Sequence, residues 1–505
     1  MSKANILVYS TLWLAFLWLQ VALFSPEPQA STLVIDPPSR LLQKTERTPG
    51  DAQFNNIDVY YREGSPRPSF HCVGRDLHDP VLDANYSWMF RSCHYQHLCL
   101  NTETKEFILP STPSQPVALG AINPRWSGRG FNKGFHKVQW TPRTDAEVKG
   151  YYELPKNVVM VPFHSMAAHN VGHLLWDDFY PLFTLLHMFG LVSDHQHLLL
   201  RWAPKKALYA SCDIRPNKRK QCQANFERFL PLLGVDPTTF SAVSKAVLQP
   251  RRQPLKSMYV CAAHAVAGMG MLMDHGTRDH GTFVDTFLGD TFVHTVYSKP
   301  LLSPGWTLRN PDSGIDLVPH NLGRGAIFRD FRDFMVNNLG VPSPPRPNKI
   351  TFSTHSSRGF ERSLGFETQI AAIKRALPVS LEVQNVTLKD LSLPEQMRVA
   401  LESAVFVTVC GGGAVTATFL PPGSTLIVYY PEDGGFDFWN YNYTYNLPQY
   451  NYQRQPARLD WDLLSNAAHL KVHWLPLKTM EEDVKVLEQL ILHDLEGLGL
   501  LSSSI

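Results

Sequence analysis

The sequence predicts an α/β protein built on a doubly wound parallel sheet, in two lobes, with one transmembrane helix ahead of them. Three observations lead there. A chain of 505 residues exceeds what one hydrophobic core holds, and two domains of roughly 200 residues each are its natural division. Strand-like and helix-like segments alternate from Lys349 to Tyr430. A 19-residue apolar run, Ile6–Phe24, stands at the amino terminus, broken only by Ser10, Thr11 and Gln20. Composition is that of a folded protein, with 44% apolar, 18% charged and 11% aromatic residues. A formal net charge of +2 gives no electrostatic basis for a nucleic-acid partner.

Taken in order, residues 1–5 read as a cytoplasmic tail with Lys3 as its one charge. As a helix, residues 6–24 would be about 28 Å long, enough to cross a bilayer core. The rival, a cleaved signal peptide, has only Pro28-Gln29-Ala30 as a cleavage site, a poor small-x-small match. A signal anchor is therefore expected, single-pass, with the bulk of the chain lumenal. Residues 25–65 are rich in Pro, Ser, Thr and charge and read as a stem. Residues 66–325 read as an amino-terminal lobe, with strands at Asn157–Phe163, Leu198–Leu200 and Lys256–Val260. Ala326–Leu339 reads as a helix leading into the proline cluster Pro342–Pro347, which marks a domain boundary.

Residues 326–445 form the second lobe. Strands are expected at Lys349–Ser353, Leu381–Val386, Ala404–Val409 and Thr425–Tyr430, and helices at Thr368–Leu377 and Leu393–Ala400. The β-branched strands and the βαβ rhythm indicate a parallel sheet, whose ligands bind beyond the carboxyl ends of the strands. Residues 446–505 read as a tail whose amphipathic helix, Met480–Leu495, packs back across both lobes.

Two segments carry chemistry. His169-Asn170-Val171-Gly172-His173 and the adjacent Asp177-Asp178 sit in an apolar run that continues through Tyr180-Pro181-Leu182-Phe183. Carboxylates and imidazoles on an apolar face are costly unless they are paired or used. His169 and His173, four apart, with His164 upstream, suggest a metal site, but Asn170-Val171-Gly172 reads as a loop before the helix, no further ligand is apparent, and no metal is predicted. About 240 residues later, Gly411-Gly412-Gly413 follows an apolar strand and opens a helix. Missing side chains let backbone N–H groups approach a phosphate there; the plain alternative is a tight turn. Arg358 and Arg362 follow a strand and suit a diphosphate; the plain alternative is a surface ion pair with Glu361 or Glu367. Asp460-Trp461-Asp462 matches an Asp-x-Asp metal pattern but lies outside the alternating region.

Seven cysteines are present, an odd number. Cys72, Cys93, Cys99, Cys212 and Cys222 are disulfide candidates, Cys212 and Cys222 bracketing a short basic loop. Acceptor sequences for N-glycosylation occur at Asn85, Asn385 and Asn442. Both features suit a lumenal setting.

In this order the motifs resemble those of the family-61 glycosyltransferases. His173 through Asp177-Asp178-Phe179-Tyr180-Pro181-Leu182 is similar to the family's His-x-x-x-Asp-Asp-x-x-Pro-Leu helix. Arg91–Cys99 is similar to its upstream cysteine pair, and Ser357–Arg362 to its Ser-Arg-x-x-x-Arg strand end. Leu391–Gln396 resembles Leu-Ser-Phe-x-Glu-Gln. Gly411–Gly423 resembles the segment His-Gly-Ala through Phe-Leu-Pro-x-Gly, with Cys410 where the family has histidine. The resemblance implies a GT-B architecture, two Rossmann-like lobes with an interlobe cleft. It implies an inverting transfer of GlcNAc or xylose from a UDP-sugar to a glycan or glycoprotein hydroxyl in the Golgi or endoplasmic reticulum, with no cofactor required. Arg358, Arg362, Glu395 and Gly411–Gly413 are then expected to bind the donor. Asp177 or Asp178 is expected as general base, with His173 orienting it or taking the proton itself. Cys410 leaves a second reading, a catalytically silent glycan-binding or scaffold protein that keeps the fold.

Overall fold

The described part of the chain, in a computed structural model, comprises residues 53–54, 57–58, 60–74, 91–110, 112–119, 138–163, 165, 168–192, 197–202, 216–235, 256–268, 283–288, 291–296, 325–355, 364–378, 380–430, 463–464, 467–476 and 484–501. The expected membrane helix 6–24, the stem through residue 52 and the sequons at Asn85 and Asn442 lie outside them. Among the described residues no helix is long and apolar enough to cross a membrane.

Amino-terminal strands run β1 (Tyr60–Glu63), β2 (Ser69–Gly74), β3 (Ser92–Gln96), β4 (Leu98–Asn101), β5 (Phe107–Ile108), β6 (Gly150–Glu153), β7 (Val158–Phe163), β8 (His197–Trp202), β9 (Tyr259–Ala262), β10 (His264–Gly268), β11 (Phe283–Leu288) and β12 (Thr291–Val296). They make a seven-stranded sheet in the order β8-β7-β10-β3-β2-β11-β12 and a five-stranded sheet in the order β1-β6-β9-β4-β5. The expected second Rossmann-like sheet is met only in part. Within the larger sheet β8, β7 and β10 are parallel, whereas every pairing from β10 to β12 is antiparallel. The reason lies in the connections. β11 and β12 are joined by two residues, too few for a parallel crossover. The ribbons β3–β4 and β9–β10 each pass from one sheet into the other, turning at His97 (φ 56°) in the first case. Every residue of β7 is buried, as its unbroken apolar run anticipates for a strand covered on both faces.

Disulfides staple these ribbons. Cys72 pairs with Cys93 across β2 and β3, and Cys99 with Cys261 across β4 and β9. Each pair is directly opposite in register. Cys261 was not among the cysteines singled out from sequence, since its partner lies 162 residues away. Cys222 is also disulfide-bonded, Cys212 lying outside the described residues, and Cys410 is a buried thiol.

Helix α1 (Tyr180–Met188) and α2 (Pro216–Phe229) cover the β7 side of the larger sheet, and α3 (Gly325–Leu339) packs on α1 and on Leu230–Leu233. Then follow β13 (Lys349–Ser353), α4 (Glu367–Ala376), β14 (Glu382–Val386), α5 (Leu393–Leu401), β15 (Ser403–Val409), α6 (Gly412–Thr416), β16 (Thr425–Tyr430), β17 (Lys471–Pro476) and α7 (Val484–Gly497). Each expected strand and helix of this half is present, within one or two residues at the ends. The sheet is parallel throughout, in the order β14-β13-β15-β16-β17. Numbered along the chain that order is 2-1-3-4-5, which puts the topological switch point between β13 and β15.

The tail corrects the sequence reading. Residues 471–476 and 484–497 join this half: β17 is its fifth strand, and Leu487, Ile491 and Leu495 of α7 join a core with Ile350, Ile373 and Val405. Asp494, 2% exposed, anchors α7 to the sheet. It accepts from Thr425 Oγ1 at 2.7 Å, His473 Nε2 at 2.8 Å and His493 Nδ1 at 3.2 Å. The described residues beyond Gly50 form one compact unit, and a single apolar cluster runs from Val159, Trp176 and Phe183 to Phe331, Met397, Phe406 and Leu426.

Two outcomes follow for stability. Replacing Cys99 and Cys261 together by alanine should cost about 2–5 kcal/mol in chemical denaturation; an unchanged midpoint would show that the staple is redundant. Burial by itself would raise the pKa of Asp494, but the hydrogen bonds from His473, Thr425 and His493 outweigh it and hold the carboxyl well below the usual carboxylate range. A carboxyl held low in the folded state contributes stability that is complete above about pH 5 and is lost as the pH falls toward the folded value. Melting temperature should therefore fall less steeply below about pH 4.5 in Asp494→Asn than in the parent chain; parallel curves would contradict this.

Candidate functional site

The acid/base motif folds as one turn of α-helix (Val171–His173), a π-helical turn (Leu174–Phe179) and α1. Asn170 starts it, extended at φ −109° and accepting from the Gly172 N–H at 3.0 Å, the ordinary chemistry of an N-cap. Pro181 explains the π turn. It has no N–H to give the Asp177 carbonyl, and its ring crowds the carbonyl four residues back. The backbone widens, and the Tyr180 N–H reaches Leu175 O, five residues back.

Burial divides the motif. His169 to His173 form its solvent-facing end, whereas Leu174, Leu175, Trp176, Phe179 and Tyr180 are in the core. Asp178 is 2% exposed and accepts a hydrogen bond from the buried Ser165 hydroxyl. Ser165, four residues before His169, carries no motif signal and was not singled out from sequence.

The glycine turn stands at the carboxyl end of β15. Cys410 continues the ladder, its N–H bonding Tyr429 O at 2.9 Å, and its side chain lies in the core at 1% exposure. The position resembling a family histidine therefore faces the core here. Gly411 has φ 115° and ψ −141°, a conformation essentially restricted to glycine. Gly413 is required by close approach: a Cβ there would stand 2.1 Å from Thr408 Oγ1 and 2.9 Å from Ser353 Oγ. Gly412 is exposed and opens the single turn of α6.

These two segments, remote in sequence, touch. Trp176 Nε1 donates to Thr418 Oγ1 at 3.1 Å. A Cβ on Gly172 would stand 3.4 Å from Val415 Cγ2, so the start of the motif lies against α6. The half-buried histidine end of the motif thus lies against the helix that the glycine turn opens, beside the switch point between β13 and β15.

Other expected residues stand as follows. Glu395 is the N3 carboxylate of a capping box: it accepts from the Ser392 N–H at 2.7 Å and is exposed. That hydrogen bonding with Ser392 lowers its pKa, and the capping role accounts for the residue without a ligand. Arg358, Arg362, His164 and Asp460–Asp462 lie outside the described residues, as does the side chain of Asp177. Among the described residues no group of three His, Cys, Asp or Glu is arranged to hold a metal. A cavity of about 370 Å³ at the carboxyl end of β13 is lined by Thr354, His355, Glu367, Lys374 and Asn385 among others.

Fold and site define an α/β protein with a doubly wound carboxy-terminal sheet, its glycine turn lying against a segment that carries a buried carboxylate and half-buried histidines. No protein-family model matches the chain. It is 22% identical over 354 residues to mouse protein O-linked-mannose β-1,4-N-acetylglucosaminyltransferase 2, covering 68% of this chain and 50% of that protein. Similarity to the dog protein of the same name is also 22%, and to the human one 21%, over 354 residues each. The chain thus spans about half the length of the curated relatives it matches.

The two buried-side glycine roles are separable from any ligand role. Gly413→Ala should lower stability by about 1–3 kcal/mol through overpacking, whereas Gly412→Ala should stay within about 0.5 kcal/mol of the parent. Equal thermal shifts in the two variants would contradict the packing assignment.

Proposed function

We propose that this chain is a glycosyltransferase of the family-61 type. It moves GlcNAc or xylose from a UDP-sugar to a hydroxyl of a glycan or glycoprotein, with inversion, in the secretory pathway. The observation that carries this reading is the contact between the acid/base motif and the glycine turn, through Trp176 with Thr418 and Gly172 with Val415. Similarity to N-acetylglucosaminyltransferases over 68% of the chain supports it. The disulfides support an oxidising compartment. Residues 6–24 would anchor the protein as a type II membrane protein, residues 25–65 would serve as stem, and the lobes would meet near residue 325.

In this reading the chemistry divides by burial. His173, at the solvent-facing end, takes the proton of the acceptor hydroxyl. Asp178 lies behind it with Ser165 and stabilises the positive imidazole as it forms, a general-base arrangement worth about 10²–10⁴ in rate. Asp177 is the alternative partner. The acceptor oxygen attacks the anomeric carbon from the face opposite the departing UDP, so the anomeric centre inverts. Charge builds on the diphosphate as it leaves. Arg358, Arg362 and the Gly411 and Gly412 amides receive it, each preorganised donor being worth about 2.7–4 kcal/mol. These groups do the charge work without a metal. The silent-scaffold reading rested on Cys410, whose side chain is in the core rather than facing the crevice.

His173→Ala and Asp178→Asn should each lower transfer at least about 100-fold while calorimetric UDP affinity stays within about twofold. Full transfer in His173→Ala would remove it as base. Arg358→Ala should weaken UDP binding about tenfold or more, about 1.4 kcal/mol; an unchanged affinity would refute its diphosphate role.

A further inference from the structure

We propose that Asn385 carries an N-linked glycan, on the strand that forms the edge of the carboxy-terminal parallel sheet among the described residues. Asn385-Val386-Thr387 is an acceptor sequence of the Asn-x-Ser/Thr type, and its place in the fold makes it usable. Asn385 lies on β14, which pairs with β13 on one side and is the edge strand of its sheet among the described residues. Side chains alternate along a strand. Gln384 points to one face, where its amide donates to Thr351 Oγ1 at 2.8 Å. Asn385 points to the other and is exposed, at the mouth of the cavity shared with His355, Glu367 and Lys374. A glycan added to the nascent chain therefore has room in the folded protein, with hydrogen-bonding side chains beside its first sugar.

Thr387, the third residue of the acceptor sequence, starts a short 3₁₀ turn and makes no side-chain capping bond there. A sheet edge left open is a template for unwanted pairing, and a bulky polar glycan on β14 blocks it. The transfer itself needs a lipid-pyrophosphate-linked oligosaccharide as co-substrate. The Asn385 carboxamide nitrogen forms the bond to the sugar's anomeric carbon and gives up a proton, and the lipid pyrophosphate leaves with the electron pair of the broken C–O bond. The disulfides Cys72–Cys93 and Cys99–Cys261 suit the compartment in which such transfer occurs. The proposal uses none of the residues assigned to catalysis or donor binding and stands independently of the catalytic reading.

The test uses the full chain in secreting animal cells, with Asn85→Gln and Asn442→Gln so that Asn385 is the remaining acceptor. Peptide N-glycosidase in ¹⁸O-water, followed by mass spectrometry, should convert Asn385 to labelled aspartate, and the gel mobility should step by one glycan. Adding either Asn385→Gln or Thr387→Ala should abolish both signals, the second variant keeping the asparagine in place. An unmodified Asn385 peptide from disulfide-bonded protein would overturn the proposal. Recovery of the chain only in reduced, cytosolic form would overturn it equally.

Discussion

The hydrogen bond from the Trp176 indole to the Thr418 hydroxyl is the constraint on which the site depends. An indole N–H in a core needs an acceptor, because leaving it unmade costs about 1–3 kcal/mol. Its acceptor lies 242 residues away in sequence, on the 3₁₀ turn that follows the glycine-rich strand end. That single pairing fixes the register between the two halves of the chain. Around it the apolar cluster is continuous, with Phe328, Phe331 and Met335 of α3 packed between the motif helix and the turn at Ala417–Phe419. The halves are two in topology, one mixed sheet and one parallel sheet, yet they share one core.

Pro181 supplies the second constraint. By denying the Asp177 carbonyl its partner, it selects a π turn where an α-helix would otherwise run straight. The consequence is a split in environment along one segment. Asp178 is held under the surface by Ser165, while His169 to His173 stay at the solvent-facing end. A carboxylate that is buried and an imidazole that is not are suited to different tasks, one to orient and stabilise charge, the other to meet a substrate hydroxyl.

Much of the carboxy-terminal half was legible in the sequence because its central strands are short, apolar and β-branched and its helices α4 and α5 are amphipathic, α5 carrying a capping box of Ser392 with Glu395. There, local pattern and tertiary role agree. The strand Lys471–Pro476 was missed because it follows a long aromatic and polar stretch and alternates only weakly. In the amino-terminal half the Rossmann-like lobe implied by the resemblance was met only in part, because strand direction is decided by connections and register: β8, β7 and β10 are parallel and the rest antiparallel. The pairing of Cys99 with Cys261 and the buried partner of Asp178 were likewise out of reach, both being contacts between distant or unremarked residues. The motif and the glycine turn were recognisable singly. That they touch follows only from the fold, as do the burial of the Cys410 side chain in the core and the capping of α5 by Glu395.

The central claim is that the acid/base motif and the glycine turn form one site. Amide hydrogen exchange, followed by mass spectrometry with and without UDP, tests it most directly. The account predicts that UDP slows exchange in peptides covering 168–179 and 408–416 together, with little change in the amino-terminal five-stranded sheet. Protection confined to one of the two peptides, or absent from both, would contradict it.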